Sequence, residues 1–135
     1  MDYNRSLEDV QKALSELIEE NKNNPVIVEG EKDVDALKKL GLTGKIITLN
    51  SGLTIIDFCD RIADEYEEVI LLTDWDRKGG FLYRTIERNL EGRVKINSYY
   101  REVFAKNSMC KTLEGLPSWI ITISEKHRII KSQKE

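Results

Sequence analysis

Asp74 and Asp76, one residue apart, follow five consecutive β-favouring or apolar residues, Val69 to Thr73. Two carboxylates held this close repel each other unless a cation lies between them, and hard oxygen donors suit Mg2+, with Mn2+ as a substitute. Glu29 leaves an earlier apolar run, Pro25-Val26-Ile27-Val28, in the same way. Basic residues follow both sites: Lys32 after Glu29, and Arg77, Lys78 and Arg84 after Asp76. Arg77 and Lys78 are better suited to phosphate than to metal.

Strands must deliver these acids. The run Val69 to Thr73 reads as a central parallel strand covered on both faces, and Gly79 and Gly80 then permit a tight turn. Phe81, Leu82, Ile86 and Leu90 recur at helical spacing beyond it. Asp74 and Asp76 thus fall at the carboxyl end of a strand, in the crevice where open α/β sheets bind ligands. Pro25 to Val28 predicts another strand, followed by a helix from about Lys32 to Leu40 that Gly41 stops. If the two strands are parallel neighbours, Glu29, Asp74 and Asp76 converge on one edge of the sheet.

The remaining elements follow from periodicity. Lys45 to Leu49 reads as a strand, Asn50-Ser51-Gly52 as a turn, and Leu53 to Tyr66 as a helix burying Ile55, Ile56, Phe58, Cys59, Ile62 and Ala63. Arg93 to Tyr99 reads as a fourth strand after the turn at Gly92. Before the first strand, residues 6 to 22 predict a helix with Ser6 as N-cap and one stripe of Leu7, Val10, Leu14, Leu17 and Ile18. After the last, Arg101 to Lys111 predicts a short helix or loop. Pro117 then opens a segment able to bury Trp119, Ile120, Ile123, Ile129 and Ile130, and residues 131 to 135 form a polar tail.

Several residues admit two readings. Lys32 sits where a helix N-terminus holds phosphate, or is a solvated charge. Asp33 touches metal through water or caps its helix. Trp75 is a stacking platform for a base or, preferably, is packed against the neighbouring strand end. Arg84 and Arg88 share a helix face that is either solvated or turned to phosphate, Arg84 being nearer the acids.

Glu29-Gly30 with Asp33 after the first strand, and Asp74-x-Asp76-x-x-Gly79 after a later one, resemble the two motifs of the Toprim domain. That domain is shared by type IA and II topoisomerases, bacterial-type primases, recombination-mediator proteins, overcoming-lysogeny-type nucleases and ribonucleases that mature small ribosomal RNA. The resemblance covers about residues 25 to 100. It implies a compact α/β fold, Glu29 as general acid or base, and an aspartate pair that coordinates magnesium. Lys78 stands where type IA topoisomerases carry a third acid, which argues against that branch. Primase-like and ribosomal-RNA-maturing members manage without it, and the latter show a basic stretch comparable to Arg101 and Lys111.

The expected architecture is a single Toprim-like, Rossmann-like domain with a mostly parallel four-stranded sheet flanked by helices. Residues 1–24 add an N-terminal helix, 25–100 form the Toprim-like domain, and 101–135 a C-terminal helical extension. The chain has 135 residues and a formal net charge of −3, which argues against a broad basic surface but not a local one. Basic residues favour the second half. The single histidine leaves little room for zinc or His-based catalysis, and Cys59 and Cys110 read as reduced thiols. With no apolar span or leader pattern, a cytoplasmic protein is expected.

Two functions compete. One is a Mg2+-dependent nucleic-acid phosphodiester enzyme, of nuclease or nucleotidyl-transfer type, with Glu29, Asp74 and Asp76 at its centre and Lys32, Arg77, Lys78 and Arg84 on phosphate; a complete topoisomerase or primase is not expected. The other is a non-catalytic Toprim module that binds nucleic acid (DNA or RNA) or nucleotide beside a protein partner or another copy. A receiver-like domain is disfavoured, because its acidic pair would follow the first strand.

Overall fold

The computed structural model describes residues 2–134. Four short strands, β1 (Val26–Val28), β2 (Ile46–Thr48), β3 (Glu68–Leu71) and β4 (Lys95–Asn97), form one parallel sheet in the order β2-β1-β3-β4. Parallel neighbours need crossover connections. Helices α2 (Glu31–Lys39), α3 (Ile55–Glu65) and α4 (Arg77–Leu90) supply them, while α1 (Tyr3–Asn21), α5 (Tyr99–Asn107) and α6 (Leu116–Lys134) lie outside the alternation. The chain winds one way from β1 to β2 and the other way from β3 to β4. The point of reversal therefore lies between β1 and β3, the two strands that end at Glu29 and in the Asp74 loop.

The alternation of side chains across the sheet builds two cores. Val26, Val28, Ile70 and Leu72 face a layer made by α1, α2, α5 and α6, with Leu17, Leu37, Phe104, Leu113 and Trp119. Ile27, Val69 and Leu71 face α3 and α4, with Phe58, Cys59, Ile62, Ile86 and Leu90. Both faces of β1 and β3 are closed, which is why these strands read as unbroken apolar runs. Among the described residues, no helix is long and apolar enough to cross a membrane.

Several expected details are corrected. Asp2, not Ser6, caps α1: its Oδ1 accepts the Arg5 N–H at 3.2 Å, and Ser6 is buried in the first turn. Helix α4 begins at Arg77, so Gly79 and Gly80 lie inside its first turn instead of forming a separate turn before it. The last strand stops at Asn97, whose Oδ1 accepts the Tyr99 N–H at 2.9 Å and turns the chain into α5. Ile56, Phe81, Ile129 and Ile130 are exposed, although their spacing places them on apolar faces.

One buried polar side chain joins α1 to the sheet. Asn21 Oδ1 accepts the Gly44 N–H at 2.8 Å, and its Nδ2 donates to the carbonyls of Lys45 at 2.9 Å and Asn24 at 3.2 Å. Asn21→Ala strands the Gly44 N–H, while the Lys45 carbonyl keeps the Val26 N–H at 3.0 Å; the loss is about 1 kcal/mol, that of one partly buried hydrogen bond. Urea unfolding of this variant is expected to show a lower midpoint with an unchanged slope. An unchanged midpoint would mean that water replaces the clamp.

Candidate functional site

The Asp74 loop is shaped by contacts that explain its spacing. After β3 the chain stays extended through the fully buried Leu72 and Thr73. It then turns over Asp74, Trp75 and Asp76 into α4. Asp76 is the N-cap: its Oδ1 accepts the Gly79 N–H at 2.7 Å. An N-cap side chain receives the N–H two or three residues on, and here it is the third, Gly79. The Thr73 hydroxyl donates to the Gly79 carbonyl at 2.9 Å, drawing helix and strand end together. A Cβ on Gly79 would overlap the Asp74 carbonyl, so only glycine fits.

Glu29 and Asp74 meet across the reversal point. The Asp74 N–H donates to Glu29 Oε2 at 2.8 Å. Asp74 Oδ1 in turn accepts the N–H of Leu113 at 2.7 Å, from the segment linking α5 to α6. Asp33 Oδ2 accepts the Gly30 N–H at 3.1 Å, so the helix-capping reading of Asp33 is the one the geometry supports. The Asn50 N–H donates to the Glu29 carbonyl at 3.2 Å and steadies the chain there.

Trp75 is packed. Its indole N–H donates to the Cys110 carbonyl at 2.6 Å, and its ring lies tilted against Phe104 with centroids 6.1 Å apart. The Trp75 backbone N–H donates to the Lys111 carbonyl at 3.1 Å. Arg101 completes the frame. Its Nε donates to the Thr73 carbonyl at 3.0 Å and its Nη2 to the Asp74 carbonyl at 2.9 Å, while the guanidinium lies 4.9 Å from the Tyr83 ring centroid.

The profile of the Toprim domain matches residues 24–105, more than half of the chain. The chain belongs to the Toprim domain family. It is 40% identical over 99 residues to a UPF0292 protein of Thermoplasma volcanium, covering 73% of this chain and 83% of that one. To a UPF0292 protein of Methanocaldococcus jannaschii it is 34% identical over 116 residues, covering 84% and 91%. A solved structure described as a putative protein from Aquifex aeolicus superposes with a TM-score of 0.61 at 27% identity, over 70% of this chain and 87% of that one.

The acids of this Toprim domain crowd a half-buried place. Burial pushes the Glu29 carboxyl up from its ordinary range, against the Asp74 N–H that lowers it; the charges of Asp74, Asp33 and Asp76 push it further up. Asp74 is raised by burial and by Asp76 and Glu114, against the Leu113 N–H and the contact with Glu29. Asp33 is raised chiefly by burial as well. A cation would relieve this excess of negative charge, and the donors are all hard oxygens. Among the described residues, no group of three Asp, Glu, His or Cys side chains closes into a ready-made ligand set. Mg2+ is commonly held by one or two carboxylates, with water and phosphate completing its shell. Asp74 and Asp76 are the residues that would hold it, with Glu29 beside them.

The basic candidates separate in space. Arg77 and Lys78 are exposed in the first turn of α4, directly after the Asp76 cap, and Arg84 lies two turns on. Lys32 is exposed on α2, lining a shallow hollow with Lys39, Glu114 and Pro117. Sequence reasoning missed the framing role of Arg101, read there only as part of a basic stretch, and of residues 110 to 113. The latter act through backbone groups, which no residue type announces.

Gly79→Ala should push the Asp74 carbonyl away and weaken the loop, lowering the thermal midpoint and any Mg2+-induced rise in it; a variant with both values unchanged would refute the steric account. The raised carboxyls also set a pH dependence. A folded state that keeps protons the unfolded chain releases loses stability as pH rises through that window. Metal-free protein is therefore expected to lose stability as pH climbs from the ordinary range, 4.5 for Glu29 and 3.8 for Asp74, through their raised values. Urea midpoints of wild type and Asp74→Asn against pH check this, the variant showing the smaller decline.

Proposed function

We propose that this Toprim domain is a Mg2+-dependent enzyme acting on nucleic-acid phosphodiesters, with cleavage as its reaction. The observation that supports this most is the Glu29–Asp74 link at the reversal point of the sheet. It puts a carboxyl with a raised proton affinity beside an aspartate pair whose donors suit magnesium. Bound metal supplies charge neutralisation at the phosphate oxygens.

The chain's own residues do the rest. Asp74 and Asp76 would hold the metal, each being oriented by one oxygen tied to a backbone N–H. Glu29, tethered through Oε2, is the general acid or base: it takes a proton from the attacking water, or gives one to the departing sugar oxygen. Arg77, Lys78 and Arg84 bind the flanking phosphates, and Lys32 a more distant one. Both cysteines are free thiols, and a reducing, cytoplasmic setting belongs to the same reading.

The test is incubation of purified protein with labelled single-stranded and duplex DNA and RNA, with Mg2+ or Mn2+, beside Glu29→Gln and Asp76→Asn. Asn caps a helix as well as Asp, so the second variant keeps its fold. Metal-dependent cutting is expected, reduced roughly 10²- to 10⁴-fold in Glu29→Gln, the range a positioned acid or base contributes. A parallel arm with nucleoside triphosphates and a primer reads transfer. Protein that is inert in both arms yet binds Mg2+ through Asp74 and Asp76 would replace this reading with that of a non-catalytic module.

A further inference from the structure

The outer face of α4 carries a pattern that neither the packing nor the metal site requires. Gly79, Ile86 and Leu90 form the buried stripe of this helix. Arg77, Phe81, Arg84 and Arg88, spaced i, i+4, i+7 and i+11, form the stripe on the opposite side. Phe81 is 57% exposed, in the second turn from the Asp76 cap. The three arginines and Lys78 are exposed, and no ion pair among the described residues uses any of them. A chain with net charge −3 thus leaves four cations without acidic partners on one short surface that begins at the metal loop.

The arginines also gather above the first turn. A Cβ built on Gly80 would lie 3.4 Å from Arg84 Nη1 and 3.9 Å from Arg101 Nη2. Arg84 therefore folds back towards the acid loop until its guanidinium nears that of Arg101, which is itself fixed on the Thr73 and Asp74 carbonyls. The two guanidinium groups repel; at Arg101 the charges of Glu29 and Asp74 act against that repulsion, and an anion lying over both groups would relieve it at Arg84 as well. Phosphate fits their forked donors, and the exposed ring of Phe81 one turn away offers a flat apolar surface.

Resting on the enzymatic reading above, we infer that the outer face of α4 is the track for a single-stranded polynucleotide, with a base stacked on Phe81 and phosphates on Arg88, Arg84 and Arg77 in turn. The single strand follows from the aromatic ring. A base in a duplex is stacked on both faces, whereas an unpaired base has a free face for Phe81. The track ends at Asp76, so a strand lying on α4 is led to the acids. DNA and RNA share this chemistry.

The test is fluorescence anisotropy of a short labelled pyrimidine oligonucleotide, as DNA and as RNA, single-stranded and annealed to its complement, in EDTA so that no cutting occurs. Wild type is expected to favour the single strand. Phe81→Ala should weaken that binding roughly 5- to 150-fold, the range for losing one base–aromatic stack. Phe81→Tyr should retain it, and Phe81→Leu should not. The Arg84→Ala/Arg88→Ala double variant should reduce the slope of log affinity against log salt by about 0.7 per arginine. Because Phe81 is exposed, its replacement leaves the fold intact, which circular dichroism verifies.

Single-strand affinity indifferent to Phe81→Ala overturns the inference. So does a duplex bound as tightly and with the same dependence on Phe81, and so does Phe81-dependent self-association in sedimentation without oligonucleotide binding. The enzymatic reading fails separately: Phe81-dependent binding in EDTA with no cutting in Mg2+ leaves the track standing, while cutting with Phe81-indifferent binding removes the track alone. A preference between the DNA and RNA arms names the strand's sugar.

Discussion

Every carboxylate of the site is held by a backbone N–H: Glu29 by Asp74, Asp74 by Leu113, Asp76 by Gly79 and Asp33 by Gly30. A backbone donor positions a carboxylate without neutralising it, whereas a lysine or arginine partner would compete with a metal for the same oxygens. The acids are therefore fixed by donors that carry no net charge. Burial and mutual repulsion push Glu29 and Asp74 upward despite these donors. The site is thus strained electrostatically in the way expected where stability is given up for binding.

This arrangement makes the C-terminal extension part of the site. Leu113 holds Asp74, the Cys110 and Lys111 carbonyls hold Trp75, and Arg101 holds the carbonyls of Thr73 and Asp74. The acid loop is gripped from the α1, α2, α5 and α6 layer and from α4 at once. Asp74 cannot shift without moving Glu29 on one side and the α5–α6 connection on the other. The apolar contacts of Phe104, Leu113 and Trp119 in the same core therefore stabilise the loop as well as the extension.

The strands were legible because central parallel strands leave no polar face: Pro25 to Val28 and Val69 to Thr73 stand out as apolar runs, and both end in acids. The convergence of Glu29 with Asp74 needed only that these strands be neighbours, which they are. Less legible was the start of α4. Gly79 and Gly80 look like a turn by residue type, but Gly79 is small because the Asp74 carbonyl fills the place of its side chain. At the start of α1 the expected cap is Ser6, but the helix begins earlier, at Tyr3, with Asp2 as its cap. Ile56, Phe81, Ile129 and Ile130 show the limit of periodicity, which marks apolar residues but not whether another element covers them. The grip of residues 110 to 113 was invisible because it is made by peptide groups.

The negative net charge and a nucleic-acid substrate are compatible once distance is considered. At physiological ionic strength exposed charges are screened beyond roughly 8 Å, so a bound phosphate senses the arginines beside it far more than acids on the far side of the molecule. What the net charge removes is long-range attraction. On the proposed reading, encounter with a polyanion would be slow, and retention would depend on short contacts: guanidinium to phosphate, ring to base, and metal to oxygen. A site of this kind would select by local fit, since a strand with nothing to stack or no phosphate in register would gain few of these short contacts.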